Sequence, residues 1–458
     1  TAIEGLGPKT TVKLYKKLGI KNVKQLERAA KAGKIKKLSD FGEKIEKNIL
    51  AGIKFRKKEY GRMLLSKASP VAKNITEQLK KVSGVKRVAF AGSLRRMQET
   101  IGDIDLVAAS SKPKLVMDAF VKLPEIEKVI SKGATRSSVR LKLGVNSDLR
   151  VVEPGVFGAA LQYFTGDKQH NIEVRKIAMK KGYKLNEYGL FKGKKLIACK
   201  TEEEIYKKLN MDTPPPEIRT ASGEIESAKT HKLPKLISYN DIKGDLHSHT
   251  TWSDGHNSIQ EMAESAKKLG HKYLAITDHT TNLKIARGLD EKGLARHGKE
   301  IDKINKKMRG FRILKSAEVN ILKDGSLDIK NEALKKLDTV SVAVHSGFKM
   351  PKAEMTKRLL KAIQNPYTNI LCHPTGRRIG RRPGYEFDWE EIFEACKKYG
   401  VALEIDSYPN RLDLRDENIR KAVKARVKLV IDTDSHDKGQ LKNFKFGIGQ
   451  ARRGWAKK

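Results

Sequence analysis

Asp103 and Asp105 stand two residues apart at the end of GSLRRMQETIGDID, residues 92–105. In a strand the side chains alternate, so both carboxylates leave by one face and Ile104 by the other. Two acids held that close at a solvent-facing edge suit a divalent cation. Just upstream, the Gly92-Ser93 turn offers amides and a hydroxyl, and Arg95 and Arg96 offer guanidinium groups, all good partners for phosphate oxygens. Acids that take metal beside donors that take phosphate point to phosphoryl transfer.

A second set of residues carries different chemistry. None of the 11 histidines precedes His170, and most fall beyond residue 240. There, apolar strand-like runs end repeatedly in a metal-binding side chain: His247 and His249, His279, Glu318, His345, His373, then Asp434 and His436. Asp254 follows the first run and completes a set of six imidazoles and three carboxylates. Such a set exceeds the needs of a binuclear centre and, with one carboxylate bridging, holds two to three ions. Imidazole and carboxylate together favour Zn²⁺, Mn²⁺ or iron over Mg²⁺ alone. Ions of this kind bridge a phosphate and lower the pKa of bound water, which is the chemistry of phosphoester hydrolysis.

The elements that must position these groups follow from the patterning. Around the paired aspartates, strands are expected near residues 85–91, 101–108, 137–143 and 148–153, preceded by a helix carrying Met63, Leu64, Val71, Ile75 and Leu79. Lys132 to Arg140 is expected to lie between strands. Pro214-Pro215-Pro216 and Pro234 bracket a connecting stretch, 213–240. Beyond it, strands ending near 249, 279, 318, 345, 373, 406 and 434 alternate with helices, the pattern of a β/α barrel with its site at the carboxyl rim. Seven such strands imply a distorted barrel. At the other end, residues 1–57 read as short helices joined by glycine turns. The fold class is therefore multidomain, α+β followed by α/β.

The first set of motifs resembles the nucleotidyltransferase signature of family X DNA polymerases. The resemblance implies a third catalytic aspartate, Asp148 in SDLRVV, with Leu149 and Val151 turned inward and Arg150 beside it to orient it. It implies that Gly92, Ser93 and Arg96 hold the nucleotide phosphates. It also implies that YFTGDKQHN, with Tyr163, Phe164, Gly166 and Asn171, forms the turn against the incoming dNTP. Mg²⁺ is the implied ion at Asp103, Asp105 and Asp148. Leu6 to Thr10 resembles a helix-hairpin-helix, with Gly5, Gly7, Lys9 and Thr10 toward DNA phosphates, and Lys36 to Lys44 a second turn of that kind. The histidine set resembles the polymerase-and-histidinol-phosphatase (PHP) domain that bacterial and archaeal members carry at the carboxyl end, and so implies 3′ to 5′ exonuclease action, with 3′-phosphatase or abasic-end trimming as further options.

The implied order is a helix-hairpin-helix region (1–57), a nucleotidyltransferase palm (58–165), a thumb-like subdomain (166–212), a linker (213–240) and the PHP barrel (241–458). Arg377, Arg378, Arg381 and Arg382, in a loop after His373, are expected to steer a DNA backbone to the barrel rim, with Arg411 similarly placed after Asp406. Two other readings share these residues: a nucleotidyltransferase without template dependence, and a phosphoesterase whose first half only binds DNA.

Composition agrees with a polyanion partner. The 95 lysines and arginines against 54 acids give a formal charge of +41, which binds primed or gapped DNA in a salt-dependent way. No apolar run is long enough to span a membrane, and three cysteines without CxxC spacing fit a reduced, cytoplasmic compartment and no zinc finger; a monomer is expected. Thr1 falls inside a motif, so an upstream segment is expected.

Overall fold

Alternating burial decides the central sheet. In Asp103–Ser110, Ile104 and Leu106 face inward while Asp103 and Asp105 face the other way. A computed structural model describes residues 6, 8–38, 41–43, 45–50, 53 and 61–458 of the chain. In it, five strands run in the spatial order Val85–Phe90, Asp103–Ser110, Asn146–Val152, Arg136–Leu141, Ile126–Lys132. Only the second and third are parallel, and their register sets Asp105 directly across from Asp148. One face of the sheet is closed by the helices Leu65–Lys80 and Pro113–Phe120 through Ala72, Ile75, Leu79, Val116 and Phe120. The helix Phe157–Thr165 covers part of the acid-bearing face, packing Phe157 and Ala160 on Val107 and Val152.

Four strands were legible from the pattern, and the fifth, Ile126–Lys132, is added by the structure. It pairs with Arg136–Leu141, so the basic stretch from Lys132 to Arg140, expected between strands, turns a hairpin and itself forms most of the second of its strands.

The helix expected from Thr11 begins three residues earlier, at Pro8, and runs to Leu18. Proline at a first helical position has its φ preset and lacks a hydrogen that would go unbonded there. Thr10 is half-buried in that first turn. Gly5, Gly7 and the side chain of Lys9 lie outside the described residues, as does part of the Lys36–Lys44 turn. Leu14, Leu26, Ile35, Phe41 and Ile49 form the core of this region.

The connecting stretch 213–240 is packed onto its neighbours. Arg219 is 1% exposed and pairs with Glu202, which also takes Arg95 at 2.6 Å. Burial raises the Glu202 carboxyl, but Arg219 and Arg95 outweigh it and hold it at about 2. Arg219→Ala should lower stability by roughly 3 kcal/mol, the low end for one buried partner lost, because Arg95 still neutralises Glu202. Urea titration of the full chain checks this.

In the carboxyl half every ladder within the two sheets is parallel. Single bridges, His279 to Glu318 and Ser248 to Ser435, join the two sheets into a ring. Seven strand positions are occupied, the third split into Arg312–Lys315 and Glu318–Asn320. Glu318 therefore opens a strand segment rather than ending one, a departure from expectation: its amide bonds to the Thr277 carbonyl across the break at 3.0 Å.

Palm and barrel share apolar core. Leu412 and Phe446 pack with Leu94 and Ile104. Arg377, expected at the rim, bridges this junction: its guanidinium meets Glu99 at 2.6 and 3.3 Å and donates to the Leu412 carbonyl. At 7% exposure it is not available to steer DNA, which corrects that expectation. A long-range carboxylate outcompeted water for it.

Candidate active sites

The first site is built on the parallel strand pair. Asp103, Asp105 and Asp148 present oxygens that all lie within 4.8 Å of one another. Gly92 makes this possible, because its φ is +54° and a Cβ there would stand 2.0 Å from an Asp105 oxygen. Burial, then the charges of Asp103 and Asp148, push the Asp105 carboxyl up to about 7. Three converging carboxylates that repel one another are a donor set for hard divalent cations. Asp148 is held by the Ser138 hydroxyl and, at 3.5 Å, by Arg136. Arg150 does not orient it: its guanidinium reaches Glu187 at 3.4 Å instead.

Beside the acids, Ser93 Oγ and Arg96 Nε are buried and without a hydrogen-bond partner. Arg96 is braced from its far end, where Nη1 donates to the Thr165 carbonyl at 2.6 Å. Arg95 differs. It spends both its terminal nitrogens on Glu202 and Thr165, so it ties the turn to the next subdomain. Tyr163 and Phe164 meet edge to face at 5.1 Å and are half-buried. Asn171 is 9% exposed and gives its amide to the Tyr163 carbonyl at 2.6 Å. As placed it braces the turn at Gly166, where a Cβ would meet its Oδ1 at 2.6 Å.

In the barrel, all nine expected side chains converge. Glu318 is the hub, with carboxylate oxygens 3.5 Å from His247, 3.6 Å from His249, 2.9 Å from His279, 3.1 Å from His345 and 2.8 Å from His373. Asp434 stands 3.2 Å from His249, and Asp254 lies 3.6 Å from His279 and 3.5 Å from His436. Ligand atoms on one ion with bonds near 2.1 Å sit about 3.0–3.5 Å apart, which these spacings match. His247 Nε2, His249 Nδ1 and Nε2, His279 Nδ1, His345 Nε2 and Glu318 Oε2 are buried without a hydrogen-bond partner. They aim at common points rather than at one another, so the residues fit bound ions. Burial, helped by neighbouring charges, lowers His249 to about 4 and His373 to about 3, which keeps both neutral and able to ligate near pH 7. His373 and Asp434 hold φ of +28° and +49°, a left-handed strain tolerated at ligand positions.

Sequence reasoning assigned no role to several residues that hold these ligands. Glu404 accepts from His247 Nδ1 at 2.5 Å and from the His373 amide. Asn320 meets His345 Nδ1 at 2.6 Å. His297, left without function, bonds at 3.1 Å to Asp278, which fixes the Thr250 and Ser253 loop between ligands. The available signal was period two in VALEID, which points Glu404 and Asp406 to the same side. Arg411 lies at 3.3 Å from Asp434, inside the site. It lines a cavity of about 460 Å³ with Arg378, Arg382, Tyr408 and Phe348. Arg382 stacks over Phe348 at 3.7 Å, while Arg378 and Arg381 are exposed. Glu404→Gln should cut the hydrolytic rate at limiting metal about 10–100-fold, the usual cost of losing a carboxylate behind a ligating histidine. A metal titration of the rate checks it, with recovery expected at high metal.

Comparison with known proteins places this geometry. Residues 245–407 match the PHP domain, residues 160–220 the DNA polymerase beta thumb, and residues 1–54 the SAM-like helix-hairpin-helix tandem. The DNA polymerase/3′-5′ exonuclease PolX of Bacillus subtilis (strain 168) is 40% identical over 457 residues, 99% of this chain and 80% of that protein. The chain belongs to the PolX-type family X DNA polymerases. A probable phosphatase of Thermoanaerobacter sp. (strain X514) is 33% identical over 204 residues, covering 42% of this chain and 78% of its own. A Leishmania infantum polymerase beta ternary P/T complex shares 23% identity over 47% of this chain and 95% of its own, at a TM-score of 0.32. The polymerase and PHP domains are metal-dependent, and the clusters described here are groups of side chains that could hold a metal ion. Among the described residues no helix is long and apolar enough to cross a membrane.

Proposed function

We propose that this chain copies DNA at one site and shortens 3′ ends at the other: a DNA-directed polymerase adding dNTPs to a primer in short gaps, and a 3′–5′ exonuclease in its PHP barrel. The observation that carries the first half is the pairing of Asp105 with Asp148 across parallel strands, beside the buried, unpartnered Ser93 Oγ and Arg96 Nε. Those two atoms are the donors a triphosphate would satisfy. Asp103, Asp105 and Asp148 would hold Mg²⁺, and the nine barrel ligands Mn²⁺ or Zn²⁺, two to three ions. Bound there, such ions ionise the attacking oxygen and neutralise the leaving one. Gly92 lets the turn approach Asp105, Arg96 binds phosphate, and Tyr163 and Phe164 offer an aromatic face to the sugar, held by Asn171 and Gly166.

In the barrel, Arg378, Arg382 and Arg411 line the cavity beside the ligands and would draw in a phosphodiester, with the exposed Arg381 next to them in the chain. The division into a helix-hairpin-helix region (1–57), palm (58–165), thumb (166–212), linker (213–240) and PHP barrel (241–458) follows from this reading, with Thr10 and its neighbours toward the DNA backbone. So do primed or gapped DNA and dNTPs as partners, a monomeric state and a cytoplasmic location. The +41 charge supports the DNA partner.

Insertion into a single-nucleotide gap tests the reading. With Mg²⁺, the nucleotide complementary to the template should enter at least about a hundredfold more efficiently than the other three, since a wrong pair misplaces the reacting atoms. Equal use of all four would favour a template-independent transferase, and no insertion would leave only the DNA-binding phosphoesterase.

A further inference from the structure

Four consecutive residues of the phosphate-binding turn, Arg96 to Glu99, are gripped by the barrel. The helix Phe444–Arg453, the last in the chain, runs alongside them. Met97 holds a φ of +53°, and its side chain lies on Gly449, where a Cβ would stand 2.7 Å from its terminal carbon. Arg453 donates from Nη1 to the Arg96 carbonyl at 3.1 Å and pairs with Asp416 through Nη2. With its amide turned, Gln98 accepts from the same guanidinium at 3.0 and 3.1 Å. Glu99 ends the run on Arg377 at 2.6 Å and Gln450 at 3.4 Å.

The palm holds the amides of this run, Arg96, Met97 and Gln98 donating to the Gly92, Leu94 and Ser93 carbonyls at 3.2, 3.1 and 3.0 Å, and the barrel adds the bond to the Arg96 carbonyl and the contacts to the Met97, Gln98 and Glu99 side chains. On the same side, Gln98 and Glu99 border a cavity of about 530 Å³ into which Arg62, Asp167, Arg415 and Arg453 also reach. The Arg453 side chain is 6% exposed and that of Asp416 21%, so their charges lie largely out of water, where a charged donor on a carbonyl is worth more than at the surface. Arg96 is thus fixed at both ends, its side chain by the Thr165 carbonyl and its backbone by Arg453, which leaves Nε as the buried, unpartnered atom.

We infer that Arg453 is a positioning residue for nucleotide insertion: acting from the PHP barrel, it holds the Arg96 backbone and so aims the Arg96 guanidinium at the triphosphate. This rests on the palm being the nucleotide site. The hydrolytic barrel is then a structural part of the polymerase, and Gly449 is glycine because Met97 must lie flat on the helix that carries Arg453.

Single-nucleotide insertion by the full chain, with kcat and KM resolved, tests this. Arg453→Ala should raise the dNTP KM about tenfold, the loss of one buried charge-assisted bond, with kcat changed less than about threefold. Arg453→Lys should recover most of the loss, since an ammonium can still reach the carbonyl. Gly449→Ala should raise the same KM by pushing Met97, and Met97→Ala in the same chain should restore it. Digestion of a single-stranded 3′ end in Mn²⁺ should stay within about twofold throughout, because no ligand moves. An unchanged KM in both Arg453→Ala and Gly449→Ala overturns the positioning role while the polymerase reading stands. So does a parallel fall in insertion and digestion without rescue by lysine, which marks a merely structural contact. Failure of the unaltered chain to insert any nucleotide sinks the palm reading and this inference with it.

Discussion

Asp148→Ala should cut primer extension about a thousandfold or more and leave 3′ digestion within about twofold. The size follows from the charge removed: a carboxylate that shares an ion with two others supplies several kcal/mol of transition-state stabilisation, and each 1.4 kcal/mol is a factor of ten. The selectivity follows from the fold. Asp148 sits opposite Asp105 on the parallel pair, its side chain 27% exposed, and its direct partners are Ser138 and Arg136, both on the neighbouring strand. Its loss opens no core cavity, because the apolar side of that strand is carried by Leu149 and Val151. Steady-state extension and digestion on the same protein preparation measure both numbers. Equal loss of the two activities in a folded protein would mean that the sites are not separate.

The mirror result comes from Glu318. Glu318→Gln keeps the volume but removes the charge that faces five imidazoles, and 3′ digestion should fall about a thousandfold or more, with extension within about threefold. Glu318 is completely buried, and burial alone would raise its carboxyl; the surrounding histidines reverse this and hold it well below the ordinary range. It therefore enters the folded site as an anion and lowers the cost of gathering cations there. Metal content of the dialysed protein should drop along with the rate, a readout independent of activity. A variant that digests normally and retains its metal would remove Glu318 from the hub of the site.

The parts of both sites that were legible share one feature: local periodicity. Asp103 and Asp105 reveal their common face through the single intervening Ile104, and the barrel ligands other than Asp254 are announced by the apolar runs before them. What was not legible depends on partners far along the chain. Arg377 finds Glu99, 278 residues away, and nothing in GRRIGRRPG separates it from Arg378, which stays exposed. Arg150 turns to Glu187, and Arg95 to Glu202, because carboxylates from later elements arrive there. The strand Ile126–Lys132 was missed for another reason: it is largely exposed, and a strand with no buried face leaves no alternation to detect. Glu404 lies in the run that ends near 406, but its role behind His247 required the barrel to close.

Anomalous diffraction from crystals soaked in Mn²⁺ with a non-hydrolysable dNTP bears most directly on the claim that one chain holds two separate metal sites of opposite chemistry. The expected map has peaks among Asp103, Asp105 and Asp148 beside the triphosphate, with Ser93 and Arg96 on its phosphates, and two or three further peaks around Glu318. A nucleotide bound elsewhere, or a palm cluster that stays free of metal while the barrel fills, would contradict it.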